Sequence, residues 1–292
     1  MPRGVSAVVL SAVAIGFTGC GGVGNGPSGP TSMTGYVIVM GNVATIGETS
    51  GTTVSASCPS GKVATGGGYT TLNEAANVFD NVPASGGTGW TVSAKNENVV
   101  STGPAIVVTP FAVCVDRPAG YELRTGSMNL GHQRAADGEA RCLDATYALL
   151  GGGVSTGDPQ VHPFTTAASF QASQPTWASA FKSNYPVALP SSSSTTTTAI
   201  CTSLSAAPGR AEVTSASTAL GPKSKAMLSV SCPDGKKALS GGVTSAESPA
   251  IWFDSAPASG GTGWTASLHN PQSPLEPVTL HATISVICAA AT

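Results

Sequence analysis

Six of the seven cysteines fall into three pairs of nearly equal separation: Cys58 with Cys114, Cys142 with Cys201, and Cys232 with Cys288. One pair lies in each of three successive segments, and the seventh, Cys20, ends an apolar N-terminal run. This arithmetic predicts one disulfide per segment and a separate task for Cys20. Both assignments place the chain outside the reducing cytoplasm. A unit of about 85 residues buries a limited share of its surface and is marginally stable alone. Closing the loop between each pair contributes about 4 kcal/mol in the chain-entropy picture, comparable to the whole stability of such a unit.

The segments begin at Gly35, Gly120 and Gly209, and the first and third align without a gap. Cys58 falls on Cys232, Trp90 on Trp264 and Cys114 on Cys288, and the run Pro83 to Trp90 recurs residue for residue as Pro257 to Trp264. The middle copy is degenerate. It keeps Gly120-Tyr121, Cys142, Gly151-Gly152-Gly153, Trp177 and Cys201, but reads Cys142-Leu143-Asp144-Ala145 where the others read Cys-Pro-x-Gly-Lys. Repetition at this level marks duplicated structural units. The organisation expected is 1–19 signal peptide, 20–34 tether, and β repeats over 35–118, 119–208 and 209–292.

Each unit reads as short strands between turn signals. Trp90 to Ala94 alternates apolar and polar residues, and Leu280, Ala282, Ile284, Val286 and Cys288 share one face of a longer run. No window beyond the N-terminal run has a 3.6-residue period, so the fold class is all-β: three antiparallel β repeats with one disulfide each. The Cys-Trp-Cys order invites an immunoglobulin reading, but the Trp lies too far beyond the first Cys for it. The Trp instead anchors a core beside the Gly-rich turn. Two architectures remain open, tandem β-sandwich units or a single pseudo-threefold β-prism.

The N-terminus supplies an address. Val5 to Phe17 is apolar and too short to span a bilayer, and it leads into Phe17-Thr18-Gly19-Cys20. This resembles a bacterial lipoprotein signal peptide, with Phe17 where that family usually has Leu. The resemblance implies that Cys20 is lipidated and becomes the mature N-terminus; a plain secretory signal is the alternative. Gly21 stands where an Asp would imply inner-membrane retention, so outer-membrane or surface anchoring is implied. Gly21 to Thr34 is nearly all Gly, Pro, Ser, Thr and Asn, a tether reaching roughly 20 Å by random-coil scaling. It contains a G-x-G-x-x-G match with no strand before it and no helix after it, so it carries no nucleotide-binding meaning.

The pattern Gly-Tyr, Cys-Pro-x-Gly-Lys, Gly-Gly-Gly, Gly-Trp-x-Val and Ala-Val-Cys, running from Gly35 to the C-terminus, resembles a repeat of secreted bacterial proteins with no assigned activity. The threefold Cys-Pro-x-Gly and glycine-strand theme is similar, more distantly, to the vitelline membrane outer layer protein family, which implies a β-prism. Units here are longer and the glycine motifs differ. Neither resemblance brings catalytic residues.

Chemistry sought directly is sparse. Gly153-Val154-Ser155-Thr156-Gly157 fits a nucleophile elbow, but the aligned sites carry Thr70 and Thr244, and no helix follows. Asp158 and His162 could offer two metal ligands, but a polar loop explains them better. The four histidines are scattered, and no catalytic residue, metal or cofactor is expected. Lys62 and Lys236, Phe79 and Phe253, Asp80 and Asp254, and Asn96 and Asn270 recur between the outer units. Lys62, Lys236, Asp80 and Asp254 are candidate ligand-binding groups; the competing reading has them serving turns and strand ends. Trp252, whose counterpart is Val78, is either a platform for a sugar ring or part of a locally varied core. Ser191 to Thr198 reads as a low-complexity loop. A net charge of −2 and charged residues at only 10% give no support to nucleic-acid binding. The expected function is a lipid-anchored structural or interaction protein of the bacterial cell envelope, its partners the membrane and envelope proteins or glycans. The alternative is a lectin-like carbohydrate- or cell-wall-binding module.

Overall fold

A computed structural model describes residues 31–97, 105–130, 135–169, 174–183, 193–275 and 278–292. The signal peptide, Cys20, nearly all of the tether, His132 and Ser191 lie outside the described residues. The first repeat contributes β1 (Val37–Met40), β2 (Ala44–Ile46), β3 (Gly51–Ser57), β4 (Lys62–Thr70), β5 (Ala76–Pro83), β6 (Gly89–Asn96) and β7 (Ile106–Asp116). The second contributes β8 (Glu122–Asn129), β9 (Ala135–Arg141), β10 (Tyr147–Ser155), β11 (Val161–Ser169), β12 (Thr176–Ser183) and β13 (Ser194–Ser203). The third contributes β14 (Ala211–Thr214), β15 (Thr218–Leu220), β16 (Lys225–Ser231), β17 (Lys237–Ser245), β18 (Ile251–Pro257), β19 (Gly263–His269) and β20 (Leu280–Ala289).

The fold is all-β, built as three antiparallel sheets, and no sheet belongs to one repeat. The first runs β1-β7-β4-β18-β19-β16, the second β3-β6-β5-β10-β13-β8, and the third β14-β20-β17-β11-β12-β9. Each repeat therefore splits, giving one set of strands to one sheet and the rest to the next. The joins are short and occupy equivalent places. Thr70 pairs with Asp254, Val154 with Asn81, and Thr166 with Val243. The sheets meet on a common axis, so of the two architectures compatible with the sequence, the single pseudo-threefold one is adopted.

Local patterns follow from position. The edge strands β3 and β16 share one alternating burial pattern, as expected of strands with one wet face. β4 and β10 are buried along nearly their whole length and carry the Gly-Gly-Gly runs. At the axis Gly66, Gly151 and Ser240 meet. A Cβ on Gly66 would lie 2.6 Å from that of Ser240, and one on Gly151 2.5 Å from it. One side chain fits there, and Ser240 supplies it. The next glycine of each strand receives a tryptophan: a Cβ on Gly67, Gly152 or Gly241 would come within 2.3 Å of Cγ of Trp90, Trp177 or Trp264. These three indoles are the bulkiest fully buried side chains. They pack on the glycine strand. Each indole N–H is satisfied from the neighbouring strand of its own repeat, at Asn81 Oδ1 (2.6 Å), Thr166 Oγ1 (2.9 Å) and Ser255 Oγ (3.0 Å), as buried indoles require.

The disulfides pair as the spacing predicts: Cys58–Cys114, Cys142–Cys201 and Cys232–Cys288. The first cysteine of each pair follows the edge strand β3, β9 or β16, and its partner lies in β7, β13 or β20. Each bond thus joins two sheets, and the three together link the sheets in a ring. Residues 31–34, assigned to the tether by composition, already belong to the body. Met33 is buried, forms a parallel bridge with Ala291, and exchanges hydrogen bonds with Ala290 and Thr292. The entry of the first repeat therefore lies against the end of the third and closes the circle.

Ser194 to Thr198 is not a loop but the start of β13, with Thr195, Thr197 and Thr198 buried. Runs of β-branched threonine suit a pleated strand, a preference that low complexity conceals. Ser155 ends β10 and donates its hydroxyl to Asp80 Oδ1 at 2.8 Å, so no strand-to-helix elbow forms there.

Candidate functional site

Of the polar groups that recur between the repeats, Asp80 and Asp254 hold one repeat to the next. Asp254 Oδ1 accepts the backbone N–H groups of Thr71 (2.7 Å) and Leu72 (3.0 Å). Asp80 Oδ1 does the same for Thr156 (2.8 Å) and Gly157 (3.0 Å). In the middle copy Thr165 stands in their place, exchanging hydrogen bonds with Ser245 through its hydroxyl. Each clamp ties the end of one repeat's glycine strand to the preceding repeat. A second ring of contacts lies nearer the disulfides. The Tyr36 hydroxyl donates to the Ala238 carbonyl (2.8 Å), that of Tyr121 to Ala64 (2.8 Å), and Arg210 Nε to Leu149 (2.6 Å). Burial pushes both phenols well above their ordinary range. Asn96 and Asn270 donate to the carbonyls of Ile46 and Leu220.

The remaining candidates separate. Lys62 pairs with Asp116 at 2.6 Å beside the Cys-Pro-Ser-Gly-Lys turn. Hydrogen bonds from Lys62 and Thr34 hold that carboxyl below its usual range. Lys236 is partly buried near Gly209. Asp158 shapes its own loop, accepting from the Gln160 backbone and the Ser193 hydroxyl. Among the described residues no three His, Cys, Asp or Glu side chains converge as a metal centre would need. Trp252 is not an exposed platform: it is 4% exposed, and its indole N–H donates to the Phe164 carbonyl at 2.9 Å.

Trp252 does, however, line a cavity of about 210 Å³ with Glu74, Ala75, Asn77, Glu97, His162 and Ile251 among the others. Its position follows from the repeats. Phe79, Phe164 and Phe253 are equivalent, so the two residues before them are equivalent as well. Those residues are Asn77-Val78, His162-Pro163 and Ile251-Trp252, and all six line the cavity. It therefore sits where the three repeats meet at one end of the axis. A second depression, about 540 Å³, lies over β9, β11 and β12 and is lined by two repeats only.

The cavity lining is mixed: Ala76, Asn77, Val78, His162 and Trp252 are buried, Glu74, Ala75, Pro163 and Ile251 are partly exposed, and Glu97 is exposed. Asn77 Nδ2 donates to the Pro159 carbonyl (2.7 Å) and to Glu97 Oε1 (3.2 Å). Glu74 pairs with Lys225 at 2.8 Å, and Glu97 has Lys95 at 3.6 Å. His162 is nearly inaccessible; burial, and secondarily the charge of Lys182, pushes its pKa down to about 4, so the imidazole is neutral at pH 7. Of these residues the sequence reading singled out Trp252 and His162, the latter for another purpose. Aligning the middle copy on Phe164 would have exposed the rest, because three equivalent positions holding Asn, His and Ile depart from the repeat.

No helix among the described residues is long and apolar enough to cross a membrane. The three disulfides are the mark of an oxidising, extracytoplasmic compartment. No protein-family model matches the chain, and no curated protein matches it in sequence.

Proposed function

We propose that this chain is a lipid-anchored extracytoplasmic structural or interaction protein, a rigid body held at the bacterial envelope by acylated Cys20. The observation that carries the reading is the use made of the repeated polar residues. Asp80 and Asp254, together with Tyr36 and Tyr121, are spent on contacts between repeats. Duplication here builds a closed frame, ringed by three disulfides, rather than three copies of a reactive centre. The test is fractionation of cells expressing the full chain, with fatty-acid labelling. The wild type should carry label on Cys20 and sediment with membranes, and Cys20→Ser should lose both. Membrane partition of the Ser variant would remove the anchor from this reading. A second reading, carbohydrate binding, is favoured by the axial cavity, where an aromatic wall, a carboxylate and an amide converge.

A further inference from the structure

The axial cavity is the place where the repeats meet and differ. In the glycine layers equivalent positions are filled alike, by glycine or by a single serine. Here they hold Asn77, His162 and Ile251 in one layer and Val78, Pro163 and Trp252 in the other. A pocket that joins apolar side chains with a few placed polar groups is the ordinary form of a small-molecule site.

Resting on the carbohydrate reading, we propose that this cavity binds one neutral pyranose ring of an envelope glycan. Its C–H face would lie on the partly exposed Ile251 and Pro163, against the edge of Trp252 that lines the cavity, and its hydroxyls would meet Glu97 and Asn77. Three features select this ligand class. Each lining carboxylate has its own lysine, Lys225 for Glu74 and Lys95 for Glu97, so the lining does not call for a cation. His162 is neutral at pH 7 and adds no charge for an anion. Trp252 is held by its bond to Phe164, so the wall is set before a ligand arrives, which lowers the ordering cost of binding. The exposed Glu97 carboxylate offers hydrogen-bond acceptors to hydroxyls.

The test is saturation-transfer NMR on the purified full chain with free glucose, galactose, mannose and N-acetylglucosamine. At least one should bind saturably. Ala75→Phe, which places a ring at the lip of the cavity, should abolish the signal. Glu97→Gln should weaken binding about tenfold, the loss expected for a hydrogen bond to a charged acceptor, with an unchanged melting temperature. Binding that survives both substitutions would overturn the axial site while leaving carbohydrate recognition elsewhere on the body. A wild-type chain that binds none of the four sugars would overturn the site and the carbohydrate reading together. The envelope-anchored reading would still stand, since it is judged by Cys20 and fractionation.

Discussion

The axis of this molecule is closed at its waist and open at one end, though both places are made by equivalent positions of the same three repeats. At the waist Gly66, Gly151 and Ser240 leave room for one side chain. At the end Asn77, His162 and Ile251 stand around a cavity of about 210 Å³. Close approach of three backbones tolerates only the smallest residues, so that layer is nearly uniform. Where the strands part, packing no longer dictates identity and the copies have diverged.

The waist is the more vulnerable of the two places. Gly152→Val would place a Cβ 2.3 Å from Trp177 Cγ and 2.4 Å from the Thr198 carbonyl oxygen. It should cost at least about 4 kcal/mol, and a melting temperature about 10 °C lower or an unfolded circular-dichroism spectrum would show it. Removing one link of the disulfide ring comes next. The double change Cys142→Ala and Cys201→Ala opens the bond between the second and third sheets and should cost about 4 kcal/mol at most. The cost is read from denaturant midpoints.

Acid sharpens the contrast from the cavity side. His162 titrates near 4 in the folded chain and near 6.5 when unfolded. Between these values the unfolded chain binds the extra proton, so stability is present above about pH 6.5 and is lost as pH falls toward 4. The loss reaches about 3 kcal/mol. Burial raises Glu212 to about 7, which gives the opposite slope: that carboxyl favours the folded state at low pH and loses its contribution as pH rises from about 4.5 to 7. The difference between wild type and His162→Gln isolates the histidine. The variant should lose less stability than the wild type between pH 7 and 4 in thermal melts, and parallel curves would refute the assignment. The smallest effect belongs to a clamp. Asp80→Asn keeps the shape but weakens two charge-assisted bonds to Thr156 and Gly157, costing about 1 kcal/mol. Faster amide exchange at those two residues, with β4 unchanged, is the expected signature.

Much of this body was legible in the residues. The cysteine spacing predicts the pairing, the strand alternation predicts an all-β fold, and Trp90, Trp177 and Trp264 announce themselves as core. Other features were visible but ambiguous. Asp80 and Asp254 recur in the sequence whether they bind a ligand or tie repeats together, and only the distance to the next repeat separates the two. Trp252 stood out correctly as unmatched, but its burial depends on Phe164, far away in the chain. Ser194 to Thr198 was obscured because a repetitive composition looks the same in a loop and in a strand.

What the sequence determined by itself is therefore local or periodic: three units, their disulfides, their strands and the oxidising compartment those bonds require. What the tertiary structure decided is partnership. A strand's alternation states which face it buries but not which strand lies beside it, because backbone hydrogen bonds are alike for every residue pair. The exchange of strands between repeats, the clamps that close the ring and the cavity at its end all arise at joins such as Thr70 with Asp254 and Val154 with Asn81. Those joins form because three half-buried units of this size cover their apolar faces best by sharing sheets around one axis.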